Sequence, residues 1–97
     1  MNNDRRDRHG VHDVLGRAAY LAFYNGQAPD YHPSEWSELP KIVRDLWVHA
    51  AVHIRFSDPV DPASAFAEAF YGSPIGLDEP YRSLFTAVAM AVMEAEL

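Results

Sequence analysis

The sequence predicts an all-α fold, four helices arranged as two repeated helical hairpins in a small bundle. Three observations carry this. Apolar residues recur at spacings of three and four in four separate stretches, and no alternating strand pattern competes with them. Proline, glycine and Asp-Pro pairs fall between those stretches, where helices start and stop. The second half also echoes the first.

From His12 to Tyr24 the apolar residues Val14, Leu15, Ala18, Leu21 and Ala22 mark a first helix, and Asn25-Gly26 supplies a pair that readily ends it. Residues 27–37 are irregular, with Pro29 and Pro33. A second helix is expected from about Leu39 to Arg55. Pro40 opens it, and Ile42, Val43, Leu46, Trp47, Ala50 and Ile54 lie on its core face. Lys41, Arg44 and Arg55 occupy its other side. Asp61-Pro62 reads as an N-cap with proline at the first helical position, which starts a short third helix from about Pro62 to Tyr71. The run Gly72-Ser73-Pro74-Ile75-Gly76 ends that helix. Asp78 is placed to cap a fourth, on which Tyr81, Leu84, Phe85, Val88 and Val92 mark one face.

Ala22-Phe23-Tyr24 recurs as Ala69-Phe70-Tyr71. With a shift of 38, Leu39, Arg44, Leu46, Trp47, Ala51 and Ile54 match Leu77, Arg82, Leu84, Phe85, Ala89 and Val92, while the first and third helices match at a shift of 47. The difference is loop length, so each half reads as one helical hairpin. Residues 1–10 are polar and mixed in sign and read as a flexible N-terminal tail, with no apolar run behind them to serve as a signal peptide. Residues 11–97 then form a single helical domain with repeat halves at about 12–56 and 61–97.

Ninety-seven residues make one modest core, since a chain of this size buries only about 60–65% of the surface its unfolded form exposes. The absence of cysteine removes disulfides, thiolate metal sites and a thiol nucleophile, and suits a cytoplasmic compartment. The net charge of −6 is uneven. Residues 57–97 hold seven acids (Asp58, Asp61, Glu68, Asp78, Glu79, Glu94, Glu96) against Arg82 alone, whereas residues 1–56 sum to zero. Such a balance argues against attachment to nucleic acid or a membrane surface, because phosphate neutralisation needs clustered Lys and Arg.

Catalytic patterns are absent. None of Ser34, Ser37, Ser57, Ser64, Ser73 and Ser83 lies in a nucleophile elbow or an S-x-x-K pair, and the five glycines build no phosphate loop. The expectation is a protein that is not an enzyme and needs no cofactor. Asp45, His49 and His53 repeat every four residues along one side of the second helix, as a zinc or nickel site requires. They are weak candidates, since a fourth ligand would have to come from His9, His12 or His32, and helical His pairs that merely flank a core are common. Asp78-Glu79 and Glu94-x-Glu96 sit at helix ends, where the first pair suits a helix N-terminus.

Two surfaces remain as recognition candidates. The loop at 27–37 is long for a connection between antiparallel helices, and Tyr31, His32 and Trp36 give it recognition-type side chains, unless they close one end of the core. On the fourth helix the run from Leu84 to Met93 has Thr86 as its one polar residue. Thr86, Met90, Met93 and Leu97 form a second stripe roughly opposite the core face. A helix apolar all round must be covered on both sides, so this stripe is the expected interface.

The segment Trp36-Ser37-Glu38-Leu39-Pro40-Lys41-Ile42-Val43-Arg44-Asp45-Leu46-Trp47 reads W-x-x-L-P-x-x-x-R-x-x-W and follows the Ala- and aromatic-rich stretch from Ala18 to Tyr24. It resembles short helical proteins encoded by phages and prophages. The resemblance covers about residues 14–56, and the second-half echo lacks the first Trp and the Leu-Pro pair. It implies phage origin and residence in the host cytoplasm. With the size and charge, it points to a small acidic interaction protein that binds and modulates a host or phage protein, one with a basic surface, through the fourth helix and the acidic C-terminal half. A homodimer is the expected free form. Two other readings stand beside this one: a metal-binding or regulatory module centred on His49 and His53, and a dimeric DNA-binding repressor led by Arg5, Arg6 and Arg8.

Overall fold

The computed structural model of the chain describes the backbone of residues 2–25 and 34–96 and the side chains of 10–25 and 34–96. It consists of helices α1 (Asn2–Asn25), α2 (Lys41–Ser57), α3 (Pro62–Tyr71) and α4 (Tyr81–Glu94), with a 3-10 turn at Trp36–Glu38 ahead of α2. No strand occurs among the described residues. Helix α1 packs on α2 and α4, α3 packs on the same two, and α2 meets α4 across the middle. The order around the bundle is therefore the order in the chain.

Helix α1 starts at Asn2, well before the expected His12, so the segment read as a tail has helical backbone. Residues 2–10 hold no proline and no β-branched residue, and Asp4 and Asp7 suit a helix N-terminus. At the other end α1 runs to Asn25, and the expected Asn25-Gly26 stop falls partly outside the described residues. The end of α2 uses Asp58 in the left-handed conformation (φ 48°), its N–H bonded to the Ile54 carbonyl. Gly72 (φ 78°) does the same for α3, where a residue without Cβ fits the left-handed cap at no steric cost. The N-cap of α4 is Pro80, not Asp78, and makes no side-chain cap bond.

Trp47 sits at the centre of an aromatic core, with ring centroids of Phe70, Phe23, Tyr20 and Phe66 at 4.6, 5.5, 5.7 and 6.0 Å. Such pairs add to the stabilisation from burial alone. Small residues let the helices approach. Gly16 is buried inside α1, and a Cβ built on it would stand 2.5 Å from Val48 Cγ2, 3.0 Å from Val48 Cα and 3.1 Å from the Trp36 ring. Positions paired by the shifts of 38 and 47 share their burial: Trp47 and Phe85, Ala51 and Ala89, Ile54 and Val92, Gly16 and Ala63, Ala19 and Phe66 are all buried.

The core face of α2 differs from the expected one. Ile42 is 73% exposed and Leu46 42%, while Trp47, Ala50, Ala51 and Ile54 face inward. At about 100° per residue Ile42 lies about 140° from Trp47, outside the arc that α1, α3 and α4 cover. Arg55 is also placed differently. It is half-buried, and its Nη1 donates to the carbonyls of Val92, Met93 and Ala95 at 2.8, 3.1 and 2.9 Å, so it caps the C-terminus of α4.

Candidate functional site

Thr86, Met90 and Met93 are spaced four and three apart, so they share one edge of α4. The first turn of α3 lies beside that edge. Pro62 and Ala63 from α3, together with Ala89, Met90 and Met93, line a groove of about 330 Å³. Ala63 and Ala89 are buried and form its floor, Met93 is half-buried against the core, and Met90 stands 54% exposed. The Thr86 hydroxyl donates to the Arg82 carbonyl at 2.7 Å, so its polar group is satisfied within the helix.

Asp61, Arg82 and Glu94 complete the lining with charge. Asp61 caps α3: its carboxylate accepts from Ser64 Oγ at 2.9 Å and from the Ser64 backbone N–H at 3.3 Å. Arg82 Nη2 donates to the same carboxylate at 3.3 Å. These bonds, the Ser64 hydroxyl first, hold the Asp61 carboxyl below its ordinary range, and the Arg82 charge adds to the effect. The ion pair is about half exposed on both sides and therefore contributes little to stability. The site is thus an apolar floor within an acidic segment whose single cation, Arg82, is already paired.

The structure brings together Thr86, Met90 and Met93 of the expected stripe. Leu97 lies outside the described residues, as do Tyr31 and His32 of the recognition loop. Trp36 is corrected from a recognition residue to a buried lid. It is 7% exposed, and its Nε1 donates to Asp13 at 2.9 Å. Tyr20, whose ring centroid lies 5.7 Å from that of Trp36, also donates its hydroxyl to the Ser34 carbonyl at 2.6 Å. An indole whose ring and N–H are both satisfied inside the chain offers nothing to a partner.

Asp45 accepts from Lys41 at 2.7 Å, while His49 and His53 line a separate hollow of about 450 Å³ beside Glu68 on α3. Among the described residues no group of three or more His, Cys, Asp or Glu is placed to hold a metal ion. Glu79 accepts from Ser83 at 2.6 Å, one turn into α4.

Two features escape the sequence-level reading. Tyr71, Ile75, Leu77, Tyr81 and Phe85 line an aromatic cleft of about 520 Å³ where α3 turns into α4; neighbouring Gly and Pro mark this only as a loop. The exposed edge of α2 runs Ile42, Leu46, His49, His53, Phe56, spaced alternately four and three. Its spacing was the available signal, masked because Ile42 and Leu46 also fit a core pattern. No helix among the described residues is long and apolar enough to cross a membrane. Comparison with protein-family models, with curated proteins and with solved structures finds no match to this chain.

Proposed function

We propose that this chain is a small acidic interaction protein, of phage origin and at work in the host cytoplasm, that binds and modulates a host or phage protein through the α3–α4 groove. The observation that carries the reading is Met90, more than half exposed beside a buried alanine floor in a segment of net charge −6. A large apolar side chain left in such a groove marks a contact site, and methionine adapts its shape to a partner. The surrounding acids suit a basic surface and steer its approach. The burial shared by paired positions supports the reading of the chain as two copies of one hairpin. Association of two copies belongs to the same reading and is favoured by the Ile42, Leu46 and Phe56 edge of α2.

The test uses the full chain and its Met90→Glu variant as bait, with the captured protein purified and its association rate measured as ionic strength rises. The wild type is expected to bind, more slowly at high salt, and Met90→Glu to bind at least about tenfold more weakly. Equal binding by Met90→Glu would remove the groove from the interaction, and a rate indifferent to salt would reject the electrostatic part. Light scattering reads self-association separately: a dimer is expected for the wild type and a monomer for Leu46→Glu.

A further inference from the structure

His49 and His53 stand one turn apart on the exposed edge of α2 and line the same hollow. Neither imidazole makes a hydrogen bond or ion pair with the described residues. Two histidines at this spacing on one helix face can chelate, since their Cβ atoms lie about 5–6 Å apart and each ring can turn a nitrogen to the same ion. A zinc ion held by protein takes four ligands in a tetrahedron. The described part of this chain supplies no third. Asp45 is engaged by Lys41, and although Glu68 borders the hollow, no group of three possible ligands forms among the described residues.

The neighbours of the pair indicate where the other ligands come from. Leu46 lies three residues before His49 and Phe56 three residues after His53, so this strip has the same order of apolar and imidazole side chains from either end about position 51. Helices α1, α3 and α4 cover the other sides of α2 and leave the strip bare. A second α2 laid antiparallel along it, with a two-fold axis at position 51, puts Leu46 of each copy beside Phe56 of the other. The same operation gathers all four imidazoles around the axis. From Ile42 to Phe56 the strip covers about 21 Å of helix and about 10 Å of width, roughly 200 Å² on each copy. Stable interfaces bury roughly 800 Å² a side, so apolar contact along this strip holds two copies weakly and a shared metal adds what it lacks.

Resting on the self-association in the reading above, we propose that His49 and His53 of two copies bind one zinc ion between them. The site has four imidazole ligands, and neither copy completes it alone. Glu68, at the border of the hollow, adds negative charge that favours a cation there.

The probe is zinc chloride, added to the full chain without a polyhistidine tag after dialysis against EDTA, and followed by calorimetry and sedimentation equilibrium. Zinc is expected to bind at half an equivalent per chain and to tighten the dimer at least about tenfold. His53→Ala is expected to lose this response. Because His53 is exposed the variant should keep its fold, which far-UV circular dichroism checks. No zinc binding, one zinc per chain on a monomer, or an unchanged response in His53→Ala would each overturn the site. The self-association reading is judged apart from these results, and it fails if Leu46→Glu dimerises as the wild type does.

Discussion

Gly16→Ala is expected to destabilise the fold although alanine is the better helix former. In an ordinary exposed helix the change stabilises by about 1 kcal/mol. Here the added methyl would stand 2.5 Å from Val48 Cγ2, which a rotamer change can move, and 3.0 Å from Val48 Cα, which it cannot. Carbon atoms prefer roughly 3.5–4.0 Å, so α1 and α2 must part by about 0.5–1 Å at their crossing. Overpacking of this kind costs about 1–3 kcal/mol, and the backbone contact places this case at the upper end. The net loss is about 2 kcal/mol, or roughly 8–16 °C in melting temperature for a domain of this size. Gly10 lies in the same helix, exposed, with nothing within 4 Å of a built Cβ. Gly10→Ala should therefore stabilise by about 0.5–1 kcal/mol. Thermal unfolding of both variants by far-UV circular dichroism checks the opposite signs. A Gly16→Ala protein as stable as the wild type would refute the close crossing.

Arg55→Ala leaves the Val92, Met93 and Ala95 carbonyls at the end of α4 without their charged donor and is expected to lower stability by about 1.5–3 kcal/mol in urea unfolding, with Arg55→Lys recovering part of it. Trp36→Phe keeps most of the buried ring but loses the bond to Asp13, an expected loss of about 1–2 kcal/mol. Adding Asp13→Ala to it should cost little more, and strict additivity of the two changes would show the bond to be idle. Asp61 contributes a pH dependence of known sign. Its carboxyl is lowered in the folded chain, so its contribution is present above the ordinary carboxylate range and is lost as pH falls through the lowered value. The stability gap between wild type and Asp61→Ala should therefore be largest near neutrality and narrow on acidification. A gap that widens in acid would contradict the assignment.

Much of this architecture is legible residue by residue because helices are specified locally. Pro62 after Asp61, Gly72 in its left-handed cap and the three-and-four spacing of apolar residues act over one or two turns, so four helices follow from the chain alone. The stripe of Thr86, Met90 and Met93 was also visible, since helix geometry puts those residues on one edge wherever the helix lies.

Which arc of each helix is covered could not be read that way, because burial depends on neighbours distant in sequence. Ile42 and Leu46 satisfy an inward pattern yet face outward, since α1, α3 and α4 crowd the Trp47 side of α2 instead. Arg55, by sequence a solvated cation, becomes the cap of a helix about forty residues away because that helix ends beside it. Trp36 is taken from the surface by Asp13 and Tyr20. Local spacing and capping chemistry thus determined the helices by themselves, while tertiary packing decided which side chains were enclosed and left Met90 at an open groove, because solvent exclusion is set by what lies across space from a residue.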